Sequence, residues 1–344
     1  IFSMLGQDAR KRGAAKAGDT VGLGRLETAS TGDTLAPGKL APPGLGASEP
    51  SQPVFSTAIL LKDRKDEVKL TSALMKLSEE DPSLALDHDP DTHQMVLRGQ
   101  GEMHLRVALE RLQRKFGVEV ERTKRAVPYK ETIRSSTTVR GRHRKQSGGH
   151  GQFGDVVIKI SPLPRGEGFK FSDTIVGGAV PKQYIPSVEA GVKDYLNSGP
   201  LGFPVVDVAV TLTEGSYHSV DSSDMAFRQA GRLAMSEGMA KCSPVLLEPV
   251  MAVKIMVPND ATPRVNTMIA QRRGHILGYD GREGWPGWDV VESHIPESEI
   301  EDLIIELRSA TAGVGTFSAR FDHLSELTGR LAEQALARNS EAAE

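Results

Sequence analysis

The sequence predicts an α+β protein of several domains, in which two βαββαβ units flank a middle block of strands and helices. The length of 344 residues exceeds that of one average domain. The contents of 38% hydrophobic and 25% charged residues are typical of globular domains. The order strand, helix, strand, strand, helix, strand occurs twice, with little similarity between the two copies. This repeated order defines the fold class.

The first copy covers residues 54–127 and reads as the ferredoxin-like split motif. VFSTAILL is a strand by its β-branched content, and SLALDHD and HQMVLRG are short strands joined by a DPDT turn. Apolar residues at helical spacing predict helices over 72–81 and 102–116, with Gly117 ending the second. VEVERTKRAV closes the unit. We expect both helices on one face of a four-stranded antiparallel sheet.

The second copy covers residues 244–323 and predicts the same arrangement over 248–322. Its strands are LEPVMAVKIMV, HILGYDG, WDVVESHIP and TFSARFDHL. The first helix, TPRVNTMIAQRRG, has Pro263 near its start and Gly274 at its end, where these residues are favoured. ESEIEDLIIELRS predicts the second helix. The remaining residues, 324–344, are expected to form a C-terminal helix or tail.

The middle block covers residues 128–243. DVVIKI, FKFSDTIV and FPVVDVAVTLTEG predict strands, while PKQYIPSVEAGVKDYLNSG and SSDMAFRQAGRLAMSEGMAK predict helices. Residues 1–36 are rich in glycine and short β-like runs, and they predict the last strands of a partial β-barrel. Residues 37–53 are rich in proline and glycine, which predicts an extended linker.

Composition excludes several classes of protein. The net charge of −3 shows that the whole chain is not a polycation, so affinity for nucleic acid must come from local clusters. The single cysteine, Cys242, excludes an internal disulfide framework and a thiolate zinc site, and it is typical of the reducing cytoplasm. No apolar run approaches the roughly 18 residues of a membrane span. The start at Ile1, within a β-like run, suggests part of a longer protein.

Residues 141–154, GRHRKQSGGHGQFG, combine positive charge with glycine. A phosphate-binding P-loop is excluded because the chain has no GK[ST] sequence and the glycines precede a strand. From 132 to 154 there are five arginine or lysine residues and no acid. Such a loop supplies phosphate contacts, and its glycines allow close approach to RNA. A solvated loop without a ligand is an equally open interpretation at this point.

A second polar loop, GSYHSVDSSD, covers residues 215–224. His218, Asp221 and Ser222 suggest nucleophilic catalysis, but the nucleophile elbow that would support it is absent from the sequence. Ser222 or Ser223 better fits an N-cap of the following helix. Tyr217 and His218 suit stacking on nucleotides. If both loops leave the same end of the sheet, they form one composite tip.

A turn near residue 90 superficially resembles a metal site. His88 and His93 flank the three acids Asp87, Asp89 and Asp91. Solvated turn residues are the favoured interpretation, because acids and histidines in an exposed turn need no ion. The buried-thiol interpretation is likewise the default for Cys242.

Several motifs, in order along the chain, are similar to those of elongation factor G, the translational GTPase that drives translocation on the ribosome. They are TGDTL (31–35), LSEEDPSL (77–84), GQGEMHL (99–105), KQSGGHGQFGDVV (145–157), AVPKQYIPSVEAG (179–191), GSYHSVDSSDMAF (215–227), PVLLEPVM (244–251), RRGHILG (272–278) and LRSATAGVGTF (307–317). The resemblance covers nearly the whole chain.

The resemblance implies the end of domain II at 1–36, domain III at 54–127, a ribosomal-protein-like domain IV at 128–243 and domain V at 244–323. Domain IV of the family is an arm whose tip enters the decoding region of the small ribosomal subunit. The implied partners are therefore ribosomal RNA and the tRNA–mRNA pair. We expect the protein to be a monomer and to bind no membrane. The residues implied to contact RNA are Arg144, Lys145, Gln146, Ser147, Gly148, Gly149, His150, Gln152, Ser216, Tyr217 and His218.

The resemblance also implies where GTP chemistry takes place. In the family, GTP and magnesium bind a GTPase domain that would lie upstream of Ile1, so we expect no catalytic, cofactor or metal residues in this chain. Three departures from the family pattern leave a paralog open. His150 stands where the family commonly has arginine, and EDLIIELRS lacks the aromatic-containing segment that the family usually places before LRS. The hairpin GREGWPGWD is lengthened. A ribosome-recycling or ribosome-protection factor and a free-standing RNA-binding module are the alternatives.

Overall fold

The computed structural model describes residues 1–6, 8–26, 28–36, 51–146 and 151–343. At the N-terminus, β1 (Phe2–Leu5) pairs antiparallel with β2 (Asp8–Lys11), and Phe2 bridges to Gly22. These strands form no closed barrel with other described residues, so the expected barrel remnant is seen only as a hairpin. Most of the predicted linker, residues 37–50, lies outside the described ranges.

The first βαββαβ unit is confirmed. Its elements are β3 (Phe55–Leu61), α1 (Glu67–Glu80), β4 (Ala85–His88), β5 (Met95–Gly99), α2 (Glu102–Phe116) and β6 (Val120–Thr123). The strands form an antiparallel sheet in the order β4-β5-β3-β6. Leu74 of α1 and Leu105 of α2 share one core cluster with Ile59 and Leu97 of the sheet, so both helices lie on one face.

The boundaries of the first unit differ from prediction at one helix. Helix α1 begins at Glu67, five residues before the predicted start at Ser72. Ser72 lies inside the helix and its hydroxyl donates to the carbonyl oxygen of Lys69 at 3.2 Å. The first turn of α1 exposes Glu67, Val68 and Lys69 but buries Leu70, four residues before Leu74, so the apolar spacing begins before the predicted start.

The middle block forms a four-stranded mixed sheet with two helices. Its elements are β7 (Lys130–Ile133), β8 (Thr137–Lys145), β9 (Gln152–Pro162), β10 (Phe169–Asp173), α3 (Ile185–Leu196), β11 (Val208–Ser216) and α4 (Asp224–Lys241). The sheet order is β10-β11-β9-β8, and β10 and β11, which α3 connects, are parallel. Both helices share one core cluster with the sheet, in which Val192, Phe227 and Ile158 are fully buried.

Glycines allow unusually close packing in this block. A Cβ atom added at Gly191 of α3 would lie 1.9 Å from the carbonyl oxygen of Arg228 in α4. A Cβ atom at Gly141 of β8 would lie 2.2 Å from the carbonyl oxygen of Ala230. Contacts below about 3 Å are forbidden to a real carbon, so only glycine fits at these positions. Helix α4 is thereby pressed against both α3 and the β8–β9 hairpin.

The second βαββαβ unit is also present, with one strand more than predicted. Its elements are β12 (Pro244–Pro258), α5 (Thr262–Gln271), β13 (His275–Gly281), β14 (Trp288–Pro296), α6 (Leu303–Ala310) and β15 (Thr316–Leu327). The strand order is β13-β14-β12-β15, and the two helices share one core cluster against the sheet. Helix α6 begins later than predicted, because residues 297–299 form a 3₁₀ turn.

The additional strand is β7, which belongs to the predicted middle block. It pairs with the first residues of β12, from Pro244↔Ile133 to Leu247↔Lys130. Strand β14 then pairs with Val250–Pro258 along the same edge of β12. The predicted division at residue 244 therefore separates chain segments that share one five-stranded sheet.

The C-terminal segment packs where the middle block meets the second unit. Strand β15 extends to Leu327, beyond the predicted strand end at Leu324, and α7 (Arg330–Ala343) follows. Phe203 of the middle block, Leu246 of β12, Leu327 and Ala335 of α7 form one apolar cluster. The predicted C-terminal helix is thus a docked element. No helix in the described ranges has the length and apolar character needed to cross a membrane.

A buried carboxylate lies beside this junction. Glu131 of β7 is completely buried, and its carboxylate accepts backbone N–H hydrogen bonds from Leu201 at 3.0 Å and Phe203 at 3.1 Å. Burial raises the pKa of Glu131 to about 7 from its usual 4.5, although the backbone N–H groups act to lower it. The loop that carries Phe203 into the apolar cluster is therefore held by a group that titrates near neutrality.

Glu131→Gln is expected to flatten the pH dependence of the unfolding free energy. Since the folded-state pKa is raised, the stabilisation by Glu131 is fully present below the unfolded pKa and is lost as pH rises toward about 7. The corresponding free energy is on the order of 3 kcal/mol. Urea unfolding of both proteins at several pH values between these two pKa values measures it. Parallel stability profiles for wild type and variant would contradict the assignment.

Candidate nucleic-acid interface

The described residues on both sides of the basic segment form a pair of strands. Strands β8 and β9 pair antiparallel from Thr137↔Ile160 to Lys145↔Gln152. The interpretation of 141–154 as a loop was wrong for residues 141–145 and 152–154, which are strand. The reason is that glycine and alternating charge also suit a two-stranded ribbon with one face exposed. Four of the predicted contact residues, Ser147 to His150, lie outside the described ranges.

Side-chain alternation places a row of arginines on one face of β8. Val139 and Gly141 are buried toward α4, whereas Arg140, Arg142 and Arg144 are exposed on the opposite face. Residues two apart along a strand lie roughly 7 Å apart on the same face. The hairpin therefore presents a linear series of cations that ends at Lys145, which is also exposed.

Arg140, the arginine of the row that lies farthest from the tip, is paired with a buried carboxylate. Arg140 donates from Nε to Asp155 Oδ1 at 2.8 Å, and Ser216 donates its hydroxyl to Asp155 Oδ2 at 2.7 Å. Asp155 is 1% exposed. Its burial acts to raise the pKa of the carboxyl, but the hydrogen bonds from Arg140 and Ser216 and the nearby positive charge of Arg142 outweigh it and lower the pKa. Asp155 is therefore held as an anion at the base of the hairpin.

Arg142 lies across the strand pair from Asp155, whereas Arg144 and Lys145 form no ion pair with the described residues. The guanidinium of Arg142 lies 5.4 Å from the ring centroid of Phe153, its diagonal cross-strand neighbour. Within the part of the chain that the structure describes, the ion pair of this row is that of Arg140 with Asp155, and none involves Arg144 or Lys145. Their charges are available to an external anion.

The two polar loops form one composite tip, as the sequence predicted conditionally. The backbone N–H of Gly151 donates to Asp221 Oδ1 at 3.1 Å, and that of Phe153 donates to the carbonyl oxygen of Asp221 at 2.8 Å. The Ser222 hydroxyl donates to the carbonyl oxygen of Phe153 at 2.9 Å. A Cβ atom at Gly151 would lie 2.8 Å from the Asp221 carboxyl carbon, so glycine is required for this contact. Asp221 thus joins the loops.

His218 is oriented by backbone hydrogen bonds. Its Nδ1 accepts from the backbone N–H of Val220 at 3.3 Å and of Asp221 at 3.2 Å. In the neutral ring, the proton must therefore be on Nε2, which is left to donate a hydrogen bond outward. The side chain is 54% exposed, and its ring centroid lies 6.4 Å from that of Phe153. Phe153 and His218 present two rings beside the cationic row.

The geometry gives no support to nucleophilic catalysis. The Ser222 hydroxyl donates to the Phe153 backbone and accepts from the backbone N–H of His218 at 2.9 Å, so it makes no hydrogen bond to the imidazole. A serine nucleophile requires a hydrogen bond to its base. Ser223, one of the two predicted caps, is the N-cap of α4 and accepts from the N–H of Ala226 at 3.3 Å.

The structure places the predicted contact residues at two levels. At the exposed tip lie Arg144, Lys145, Gln146, Gln152, Tyr217 and His218. Ser216 lies farther from the tip, and its hydroxyl donates a hydrogen bond to Asp155. Its contact with RNA stays a prediction. Sequence reasoning missed the parts played by Phe153 and Asp221. The alternation of large and small residues in QFGD, which places Phe153 and Asp155 on one face of a strand, was the available signal.

Three family models match the chain in order. They are Elongation Factor G, domain III, at residues 50–124, Elongation factor G, domain IV, at 125–243, and Elongation factor G C-terminus at 245–335. The chain belongs to the elongation factor G family. The composite tip is therefore part of elongation factor G domain IV, and the two βαββαβ units are domains III and V. The predicted family and α+β fold class are confirmed.

Two relatives show the same relationship. An elongation factor G-like protein of Synechocystis is 53% identical over 332 residues, which are 96% of this chain and 49% of that protein. A crystal structure from Thermus thermophilus superposes with a TM-score of 0.77 at 37% identity, covering 88% of this chain and 46% of that one. The chain thus spans about half the length of these relatives and carries the C-terminal domains of an elongation factor G-like translation factor.

Proposed function

We propose that this chain binds the ribosome through the composite tip and promotes the movement of tRNA and mRNA during protein synthesis. The observation that carries the proposal is the joining of the cationic β8–β9 hairpin to the His218 loop through Asp221. The joined loops place charge and aromatic rings on one exposed end of domain IV. Membership of the elongation factor G family supports the ribosome as the partner.

The chemistry of the tip suits RNA contact without catalysis. Arg142, Arg144 and Lys145 supply positive charge for phosphates, which fixes position without reading sequence. The rings of Phe153 and His218 offer faces for unstacked bases, and the Nε2–H of His218 offers one directed hydrogen bond. The tip therefore would hold the RNA in register while the rest of the protein moves.

In this proposal, GTP and magnesium bind a GTPase domain in the other half of a longer protein, as in the family. A ribosome-recycling or ribosome-protection role would use the same fold with different tip contacts, and a free-standing RNA-binding module would need no GTPase partner. The two βαββαβ units and the docked helix α7 favour a translation factor over an isolated module, because the whole C-terminal architecture of the family accompanies the tip.

His218→Ala is expected to slow translocation while leaving ribosome affinity nearly unchanged. One ring contributes little to a binding energy dominated by phosphate contacts, but it makes the directed hydrogen bond of the tip. A single-turnover translocation assay with the protein that includes the GTPase half, combined with equilibrium binding to ribosomes, separates the two effects. We expect a rate loss on the order of tenfold or more, which corresponds to about 1.4 kcal/mol in the barrier.

The matched control is His88→Ala, which removes an exposed histidine from domain III. It should translocate at the wild-type rate. If His218→Ala does the same while binding normally, the tip does not act on the moving RNA. A recycling role would instead appear as normal translocation by His218→Ala and wild type alike, with the loss confined to subunit separation.

A further inference from the structure

Three side chains with metal-ligating atoms converge on the domain V sheet. His294 of β14 and Asp322 and His323 of β15 each offer one ligand atom, and these atoms lie within 4.8 Å of one another. The distances are 3.5 Å from His294 Nε2 to Asp322 Oδ2 and 2.6 Å from His323 Nδ1 to Asp322 Oδ2. The centroids of the two imidazole rings are 5.4 Å apart, with an angle of 67° between the ring planes.

The sheet geometry explains why these three meet. Strand β12 lies between β14 and β15, and its Ala252 is in register with His294. Val253 and Ile255 belong to the core between the sheet and its helices. Because successive side chains of a strand point to opposite faces, Ala252 and His294 lie on the face of the sheet away from that core. Ala252 puts only a small side chain between β14 and β15 on this side, and its register partner in β15 is Arg320, whose charge acts on Asp322.

A β-bulge brings two successive residues of β15 to this space. The register with β12 shifts between Val250↔His323 and Met251↔Phe321, so Asp322 is the extra residue. A bulge re-aims a side chain that regular alternation would turn to the other face. Asp322 thereby contacts His323 beside it and His294 across β12. The convergence depends on a specific backbone feature and not only on proximity in sequence.

The geometry points to a binding site for a divalent transition-metal ion, with Zn²⁺ as the reference ion, held by His294 Nε2, Asp322 Oδ2 and His323 Nδ1. Two imidazole nitrogens and one carboxylate oxygen form a common zinc ligand set, and a tetrahedral ion with bonds of about 2.0–2.1 Å holds its ligands roughly 3.3 Å apart. The observed separations bracket this value. A bound ion would replace the His323–Asp322 hydrogen bond.

Water can complete the coordination, since the group formed by the described residues supplies three ligand atoms. The site is also accessible, because the side chains of His294, Asp322 and His323 are 27%, 37% and 45% exposed. The bound ion would crosslink β14 and β15 over β12. Sequence reasoning considered His88 and His93, which do not belong to any such group among the described residues.

The experiment is calorimetric titration of the 344-residue chain with Zn²⁺, repeated with the variants His294→Ala, Asp322→Asn and His323→Ala. We expect one ion per chain with a dissociation constant below about 10 μM, and each variant should weaken binding by roughly tenfold or more. His88→Ala is the matched control and should bind as the wild type does. Circular dichroism checks that each variant folds.

A second readout identifies the coordinating atoms. Long-range ¹H–¹⁵N spectra of the imidazole rings should show Zn²⁺-dependent shifts at Nε2 of His294 and Nδ1 of His323, without matching shifts at His88. Weaker binding than the stated limit, or equal affinities for the wild type and all three variants, would overturn the proposal. So would equal losses in His88→Ala, because that result would indicate scattered surface histidines.

Discussion

Replacing Arg142, Arg144 and Lys145 together with alanine should weaken ribosome binding and flatten its dependence on salt. The three side chains are exposed on the β8–β9 hairpin and form no ion pair with other described residues. Each lost phosphate contact lowers the slope of log affinity against log salt by about 0.7–0.9, so the slope should fall by roughly 2. Binding to ribosomes at several salt concentrations measures both quantities.

A charge-conserving variant provides the control for this prediction. Arg142→Lys, Arg144→Lys and Lys145→Arg together keep the positive charge and should retain the salt slope, because phosphate contacts respond to charge before geometry. When salt is raised from about 50 to 200 mM, the affinity of both proteins falls, and the factor by which it falls should be roughly tenfold smaller for the alanine variant than for the wild type. An unchanged slope in the alanine variant would leave the hairpin as a solvated surface without an RNA contact.

Gly191→Ala should destabilise domain IV by about 2 kcal/mol or more, which is the range for overpacking against unyielding neighbours. The new methyl group would lie 1.9 Å from the backbone oxygen of Arg228, and a backbone atom in a helix cannot turn aside as a flexible side chain can. Helix propensity alone predicts the opposite sign, since alanine in a helix interior is favoured over glycine by about 1 kcal/mol. The experiment therefore separates packing from propensity.

Thermal unfolding followed by circular dichroism tests this result, and tryptophan fluorescence serves as a separate readout for domain V. Trp285 and Trp288 are the two tryptophans of the chain, and both lie in the β13–β14 region of domain V, so fluorescence reports on that domain. Gly278→Ala is the matched control, because a Cβ atom there meets nothing within 4 Å. If Gly191→Ala unfolds as the control does, α3 and α4 can separate without cost and the close packing is not required.

Local patterns were sufficient for most elements of the fold. The apolar spacing of Leu105 and Leu112 and the stop at Gly117 predicted α2 with its observed bounds, because that helix buries one clear face. The hairpin of β13 and β14 was also predicted, although β13 is almost entirely exposed. Helix α1 was predicted too short, although its buried Leu70 continues the spacing of Leu74 and Leu77 toward the N-terminus. Local sequence reports burial better than it reports helix length.

Long-range choices could not be predicted in the same way. KETI of β7 was not predicted as a strand, and nothing within its four residues indicates that it pairs with β12 of the following domain. The candidate site shows the same limit: its residues were named from motifs, but the Asp221 contacts that join the loops connect positions about 70 residues apart. The His294 cluster depends on a bulge, which alternation of residues does not reveal.

Strand β12 has a mechanical consequence for the protein. It runs without interruption over 15 residues, roughly 50 Å at the usual rise per residue. Its first residues pair with β7, which leads directly into the tip hairpin, and its later residues form the centre of the domain V sheet. A load applied at the tip would therefore be borne by continuous backbone hydrogen bonding and the apolar cluster around Phe203, and not by a flexible joint. Domains IV and V should rotate together as one rigid body.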